Sequence, residues 1–262
     1  MNFVYENLRV EQDSKGVLWI TLNRPEKLNA LNDITLQELS SVFQYAEKEN
    51  TVRGLLITGE GKAFCAGADI QRLATVDAVE GRRFAEEGQK VFSQLEQLGK
   101  PSVMAINGYA FGGGCELAMA GTLRVASHLA QFGQPEIKLG VIPGYGGTQR
   151  LTRLVGKGRA LDLCLTGRFI HGEEALNWGL VNRLVSPEDL LSKSEELLHQ
   201  IIEWAPHAIR AILSVIHEGT DLSLTEAQSM EAMEFGLTCA TTDKKEGIKA
   251  FLEKRKPNFT GN

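Results

Sequence analysis

Asn107-Gly108-Tyr109-Ala110-Phe111-Gly112-Gly113-Gly114-Cys115-Glu116-Leu117 is a glycine-rich turn set between two apolar runs. It follows Ser102-Val103-Met104-Ala105-Ile106, an apolar run after Pro101 of the length of a buried strand, and it leads into Leu117-Ala118-Met119-Ala120 at the start of a helix. The same order recurs upstream. Residues 54–58 form a short apolar strand that enters Gly59-Glu60-Gly61, and Ala66-Gly67-Ala68-Asp69-Ile70 then opens another helix start. Strand, glycine-rich loop and helix repeated in one chain predict an α/β fold.

Further out, Leu8–Gln12 and Val17–Leu22 flank Asp13-Ser14-Lys15-Gly16, a turn sequence that predicts a hairpin. Asp33 is placed to cap a helix that carries Leu36, Leu39, Val42, Phe43 and Ala46 on one face. A second amphipathic helix is expected over residues 79–98, with Phe84, Val91, Phe92 and Leu95 inward. After about Pro187 the pattern is helical almost to Lys256, broken at Pro206. The division drawn from this is an α/β core over residues 1–195 and a helical segment over 196–262.

Composition excludes several classes. The 262 residues are 43% hydrophobic and 23% charged, as in ordinary globular proteins. A formal net charge of -5 gives no global field for nucleic acid. Cys65, Cys115, Cys164 and Cys239 form no CxxC pair and read as reduced residues of a cytoplasmic protein. Residues 1–12 carry Glu6 and Glu11 and lack the pattern of a presequence. No stretch approaches the roughly 20 apolar residues of a membrane helix. There is no GxSxG, Walker A or HExxH sequence, and the histidines lack metal-ligand spacing, so neither a metal nor a nucleotide cofactor is expected.

The chemistry rests on the two loops and two carboxylates. Free N–H groups at helix starts favour negative charge. Two of them aimed at one point would hold a thioester oxygen as it becomes an enolate, and glycine lets the backbone come close. Each loop alone reads equally well as a tight turn. Glu116 alone reads as a helix-dipole partner, and Glu136 in Gln134-Pro135-Glu136-Ile137 as a surface or capping carboxylate.

Five ordered motifs resemble the crotonase (enoyl-CoA hydratase/isomerase) superfamily. They are Asn23-Arg24-Pro25-Glu26-Lys27-Leu28-Asn29-Ala30-Leu31, Phe64-Cys65-Ala66-Gly67-Ala68-Asp69-Ile70, the stretch quoted first, Phe132-Gly133-Gln134-Pro135-Glu136, and Gly146-Gly147-Thr148-Gln149-Arg150-Leu151. Residues 244–259 match the usual ending of that family. The resemblance implies a spiral of repeated ββα units and a helical C-terminal segment that makes a homotrimer, two of which form a hexamer. It implies a hydro-lyase adding water to 2-trans-enoyl-CoA in fatty acid β-oxidation. The oxyanion donors would be the N–H groups of Ala68 and Gly113. Glu136 would handle the α-carbon proton while Glu116 activates water.

Coenzyme A would be part of the substrate, with no separate cofactor. Its contacts by resemblance are Lys27, Leu28, Ala66, Asp69, Ile70, Gly144, Phe235 and Lys254. Residues 244–256 hold six basic and two acidic residues, hence net +4, which suits either the phosphates, from a neighbouring subunit, or a helix dipole. Two departures from the family pattern stand out: Ala120-Gly121-Thr122 after the central helix, and Tyr145 in place of a small residue, which leaves the acyl length open. An enoyl-CoA isomerase, a methylglutaconyl-CoA hydratase and, from another class, an RNA-binding protein are the alternatives. No nucleic-acid or membrane partner is expected.

Overall fold

The computed structural model describes residues 4–262, so the first three residues of the N-terminal stretch weighed above lie outside it. Strands β1 (Leu8–Gln12) and β2 (Val17–Leu22) form the expected antiparallel hairpin, with Leu8 opposite Leu22. The Asp13 carboxylate holds its turn by accepting from Lys15 and Val17 N–H at 2.8 and 2.9 Å. Helix α1 (Asp33–Lys48) buries the five apolar residues expected, but Asn32, not Asp33, is its cap. The Asn32 side chain accepts from the Thr35 N–H at 2.8 Å and from the Thr35 hydroxyl at 2.7 Å. Asp33 is already helical and faces Arg72 at 3.2 Å.

The chain then winds through three turns. The first is β3 (Gly54–Gly59), β4 (Ala63–Cys65), the short α2 (Ile70–Leu73) and α3 (Ala78–Glu96). The second is β5 (Ser102–Ile106), β6 (Tyr109–Phe111) and α4 (Gly113–Ala120). The third is β7 (Leu123–Ser127), β8 (Gln131–Gly133) and a 3-10 turn over Pro135–Leu139. Beyond it come α5 (Gly147–Val155), α6 (Lys157–Thr166), β9 (Phe169–His171), α7 (Gly172–Trp178) and β10 (Arg183–Val185).

The first strand of each turn joins one sheet, ordered β1-β2-β3-β5-β7-β10, which is parallel from β2 to β10. The second strand of each turn joins another sheet, ordered β4-β6-β8-β9. There β4, β6 and β8 run parallel, and β9 runs antiparallel to β8. Every residue of β3 and β5 is buried, as expected for strands covered on both faces. Phe84, Val91, Phe92 and Leu95 of α3 join the main core.

The outer face of the first sheet, with Val17, Leu56, Val103, Ala105 and Val125, is covered by Leu190, Leu197, Leu198 and Ile202 of α8 (Leu190–Ile202). Residue 195, where the division was drawn, falls inside this helix. Then follow α9 (Pro206–Gly219), α10 (Leu224–Cys239) and α11 (Thr242–Leu252), with Pro206 in the first turn of α9. Helix α10 packs mainly on α9 and buries none of its residues, so Leu224, Met233, Phe235 and Leu237 are exposed. No helix among the described residues is long and apolar enough to cross a membrane.

Candidate active site

The two glycine loops meet at the mouth of their turns. Ala68 forms a parallel bridge with Leu31, in which Leu31 N–H donates to Gly67 O and Asp69 N–H donates to Leu31 O, both at 2.8 Å. In such a bridge the flanking residues make the bonds, and the N–H of Ala68 itself points the other way. Gly112, at φ +48, turns the chain so that Gly113 becomes the first residue of α4, where N–H groups lack an intrahelical acceptor. Among the described residues, neither N–H donates to a protein acceptor. The two backbones are close: a Cβ on Gly113 would lie 3.1 Å from Ala68 N. Two unsatisfied donors on one wall suit an oxygen that gains negative charge.

Glu116 sits on the first turn of α4 and is 1% exposed. Its Oε1 accepts from the N–H groups of Tyr145 and Gly147 at 2.8 and 2.6 Å, which leaves Oε2 for a proton transfer. The loop that supplies those donors is itself clamped. Arg150 donates to Tyr145 O at 2.6 Å and forms a two-pronged ion pair with Glu96 at 2.7 and 2.6 Å. Glu136, on the 3-10 turn, approaches from the other side, and a Cβ on Gly112 would lie 2.6 Å from its Oε1. With its amide nitrogen turned to Glu136, the fully buried Gln134 donates to both carboxylate oxygens at 3.1 and 3.2 Å.

Burial pushes Glu116 up to about 8, and the neighbouring charge of Glu136 adds to the shift; the two N–H bonds and Arg150 pull the other way. Burial likewise raises Glu136, to about 7. Repulsion is mutual, so the proton held near neutrality belongs to the pair. One protonated and one ionised carboxyl give an acid and a base in one site.

The same shift makes the site a cost to stability at high pH. A carboxyl raised in the folded state binds its proton there more tightly than in the unfolded chain. Its contribution is full below about 4.5 and is lost as pH rises through about 7 to 8. Glu116→Gln keeps an oxygen acceptor for Tyr145 and Gly147 and never ionises. It is expected to melt at least about 2 °C above the unaltered protein at pH 9, with the gap closing at pH 5. Thermal melts at the two pH values check this; an equal gap at both would contradict it.

Both carboxyls and both donors line one cavity of about 700 Å³. Its other walls are mostly apolar and include Leu73, Phe84, Val141 and Ile142. Of the expected contact residues, Ala66, Ile70 and Gly144 line it as well. Lys27 and Leu28 end the 3-10 turn Pro25–Lys27, and Asp69 caps α2 and faces Arg24; none of the three lines the cavity. Phe235 on α10 is 70% exposed and Lys254 follows α11, so the fold does not bring either to the cavity of its own chain. Gln134 and Arg150 are site residues that the sequence does not mark as such. Their only signal was membership in the motifs, because the partners that give them meaning are brought together by the fold. Asp13, Glu195 and His199 are near enough to hold a cation, but they lie away from this cavity, with His199 3.6 Å from Asp13 and 3.9 Å from Glu195.

Residues 12–262 match the family described as enoyl-CoA hydratase/isomerase. The chain is 47% identical over 257 residues to the crotonyl-CoA hydratase of Syntrophomonas wolfei subsp. wolfei, covering 97% of this chain and 98% of that protein. It is 44% identical over 251 residues to the short-chain-enoyl-CoA hydratase of Clostridium acetobutylicum, covering 95% and 96%. The crystal structure of an enoyl-CoA hydratase from Bacillus anthracis superposes with a TM-score of 0.94 at 38% identity, covering 98% of this chain and all of that one. With the winding of the strands, the two loops and a match over nearly its whole length, the chain belongs to the enoyl-CoA hydratase/isomerase family.

Proposed function

We propose that this protein is a hydro-lyase that adds water across the 2,3 double bond of 2-trans-enoyl-CoA thioesters, giving 3-hydroxyacyl-CoA in fatty acid β-oxidation. The observation that carries this is one mostly apolar cavity lined by two buried carboxyls and two unsatisfied N–H donors. The near full-length relatives named as enoyl-CoA hydratases support the same chemistry. The thioester oxygen sits between the N–H groups of Ala68 and Gly113, which steady the charge that develops on it. In the form of the pair that reacts, with the proton on Glu136, the Glu116 carboxylate, its Oε1 held by two N–H bonds, takes a proton from water through Oε2 as the water oxygen bonds to C3. Protonated Glu136 delivers its proton to C2, and Gln134 steadies the carboxylate left behind. Transfer of the proton from Glu116 to Glu136 restores the pair, so the sum is one water added.

Coenzyme A enters as part of the substrate. Its handle runs along Ala66, Asp69 and Ile70, with Lys27 and Leu28 nearby, and Gly144 is on the acyl side. Phe235 and Lys254 reach it from a neighbouring subunit. Arg255 occupies both acidic residues of the basic C-terminal segment, Glu246 and Glu253, which supports a role for its lysines in phosphate contact. Four free cysteines support a reducing, cytoplasmic setting.

The exposed apolar residues of α10, with Ile248, Phe251 and Leu252 from α11, support assembly as a trimer and then a dimer of trimers. Sedimentation equilibrium is expected to give six times 28.7 kDa. A compact, fully active 28.7 kDa monomer at micromolar concentration would rule this out. For the activity, crotonyl-CoA is expected to lose its conjugated absorbance and to yield 3-hydroxybutyryl-CoA. Double-bond migration in a 3-enoyl-CoA without any hydration of crotonyl-CoA would instead point to an isomerase.

A further inference from the structure

Tyr145 is among the largest fully buried side chains, 1% exposed, yet it lines the cavity. Its ring lies 5.1 Å from that of Phe84 and meets the Phe92 ring edge-on at 5.6 Å. A Cβ on Gly113 would come within 3.2 Å of the ring on the oxyanion side. On the far side is Gly88, in the middle of α3. A Cβ there would fall 2.2 Å from ring carbon Cδ1 and 2.4 Å from Cε1. Any side chain at position 88 would therefore expel the ring. Glycine inside a helix is destabilising relative to alanine, and here its absent side chain is the socket for the tyrosine.

The reacting atoms fix which end of the substrate meets this ring. The thioester oxygen is held by Ala68 and Gly113, and C3 must face the water on Glu116. The N–H of Tyr145 is bonded to that same carboxylate at 2.8 Å, and Tyr145 and Phe84 line the cavity with it, which puts both rings on the wall beside the atoms that follow C3. We propose that the Tyr145 ring, seated on Gly88 and braced by Phe84 and Phe92, closes the acyl end of the cavity and confines the enzyme to short enoyl groups of crotonyl size. Volume is the property that matters. The phenol oxygen is buried without a hydrogen-bond partner, so it anchors nothing within the protein.

This rests on the hydratase assignment, and the experiment separates the two. kcat/KM is measured with crotonyl-, trans-2-hexenoyl- and trans-2-decenoyl-CoA for the unaltered enzyme, Tyr145→Phe and Tyr145→Ala. Because each methylene in a tight apolar pocket changes discrimination by about 10-fold or more, crotonyl-CoA should exceed decenoyl-CoA by at least about 100-fold in the unaltered enzyme. Tyr145→Phe should keep that ratio, and Tyr145→Ala should narrow it at least about 10-fold. Tyr145→Leu gives the same readout if the alanine variant does not fold. A flat chain-length profile with good crotonyl-CoA turnover overturns the inference and leaves the hydratase assignment standing. So does an unchanged ratio in a folded alanine or leucine variant, or a phenylalanine variant that widens the range as much as alanine. No hydration at any chain length overturns both.

Discussion

Glu116→Gln and Glu136→Gln are each expected to slow hydration of crotonyl-CoA by about 100-fold or more, the usual loss on removing an acid or base. The substitutions keep size and, at position 116, the oxygen that accepts from Tyr145 and Gly147 at 2.8 and 2.6 Å. The loop carrying Tyr145 should stay in place and thioester binding should change little. The loss should therefore appear in kcat. The two single losses should not add, because both carboxyls serve one proton inventory. Steady-state kinetics with calorimetric titration of a non-hydratable thioester measures both quantities. Near-normal turnover in either variant would leave the two-carboxylate mechanism untenable.

The second large effect is expected from Gly113→Pro, which deletes one of the two donors. Loss of such a donor typically slows turnover by about 100- to 1,000-fold. Proline is well tolerated at the first position of a helix, and Gly113 occupies that position in α4. The added ring must fit beside Ala68 N and the Tyr145 ring, which a Cβ would approach to 3.1 and 3.2 Å. Circular dichroism must therefore show a native fold before kinetics are compared. A folded variant with unimpaired turnover would remove Gly113 from the oxyanion site.

Much of this arrangement was legible in the sequence because it is local. Asp13-Ser14-Lys15-Gly16 fixes a hairpin through its own side chain, and α1 and α3 show their buried faces by period alone. Strands β4, β6 and β8 span three residues each, too few for any period to register; only the family resemblance implied a second strand in each unit. Asn32 and Asp33 are both good caps by type, and backbone geometry alone chose between them.

The site divides the same way. Ala68, Gly113, Glu116 and Glu136 stand in motifs that could be quoted, and the fold brings all four to one cavity. Gln134 is fully buried beside Glu136, and Tyr145 matters through Gly88 on a separate helix. Such pairs exist only after folding. Phe235 and Lys254 stand apart from that cavity, and within one chain the fold gives them no place in it.

The fate of water oxygen shows whether this cavity hydrates an enoyl thioester. Crotonyl-CoA is incubated with the enzyme in water enriched in heavy oxygen, and the product is analysed by mass spectrometry. The expected product is 3-hydroxybutyryl-CoA carrying one heavy oxygen, located on C3 after fragmentation. Crotonyl-CoA recovered with no hydroxyacyl product, or converted only to an unlabelled positional isomer, would contradict the claim that this cavity adds water to an enoyl thioester.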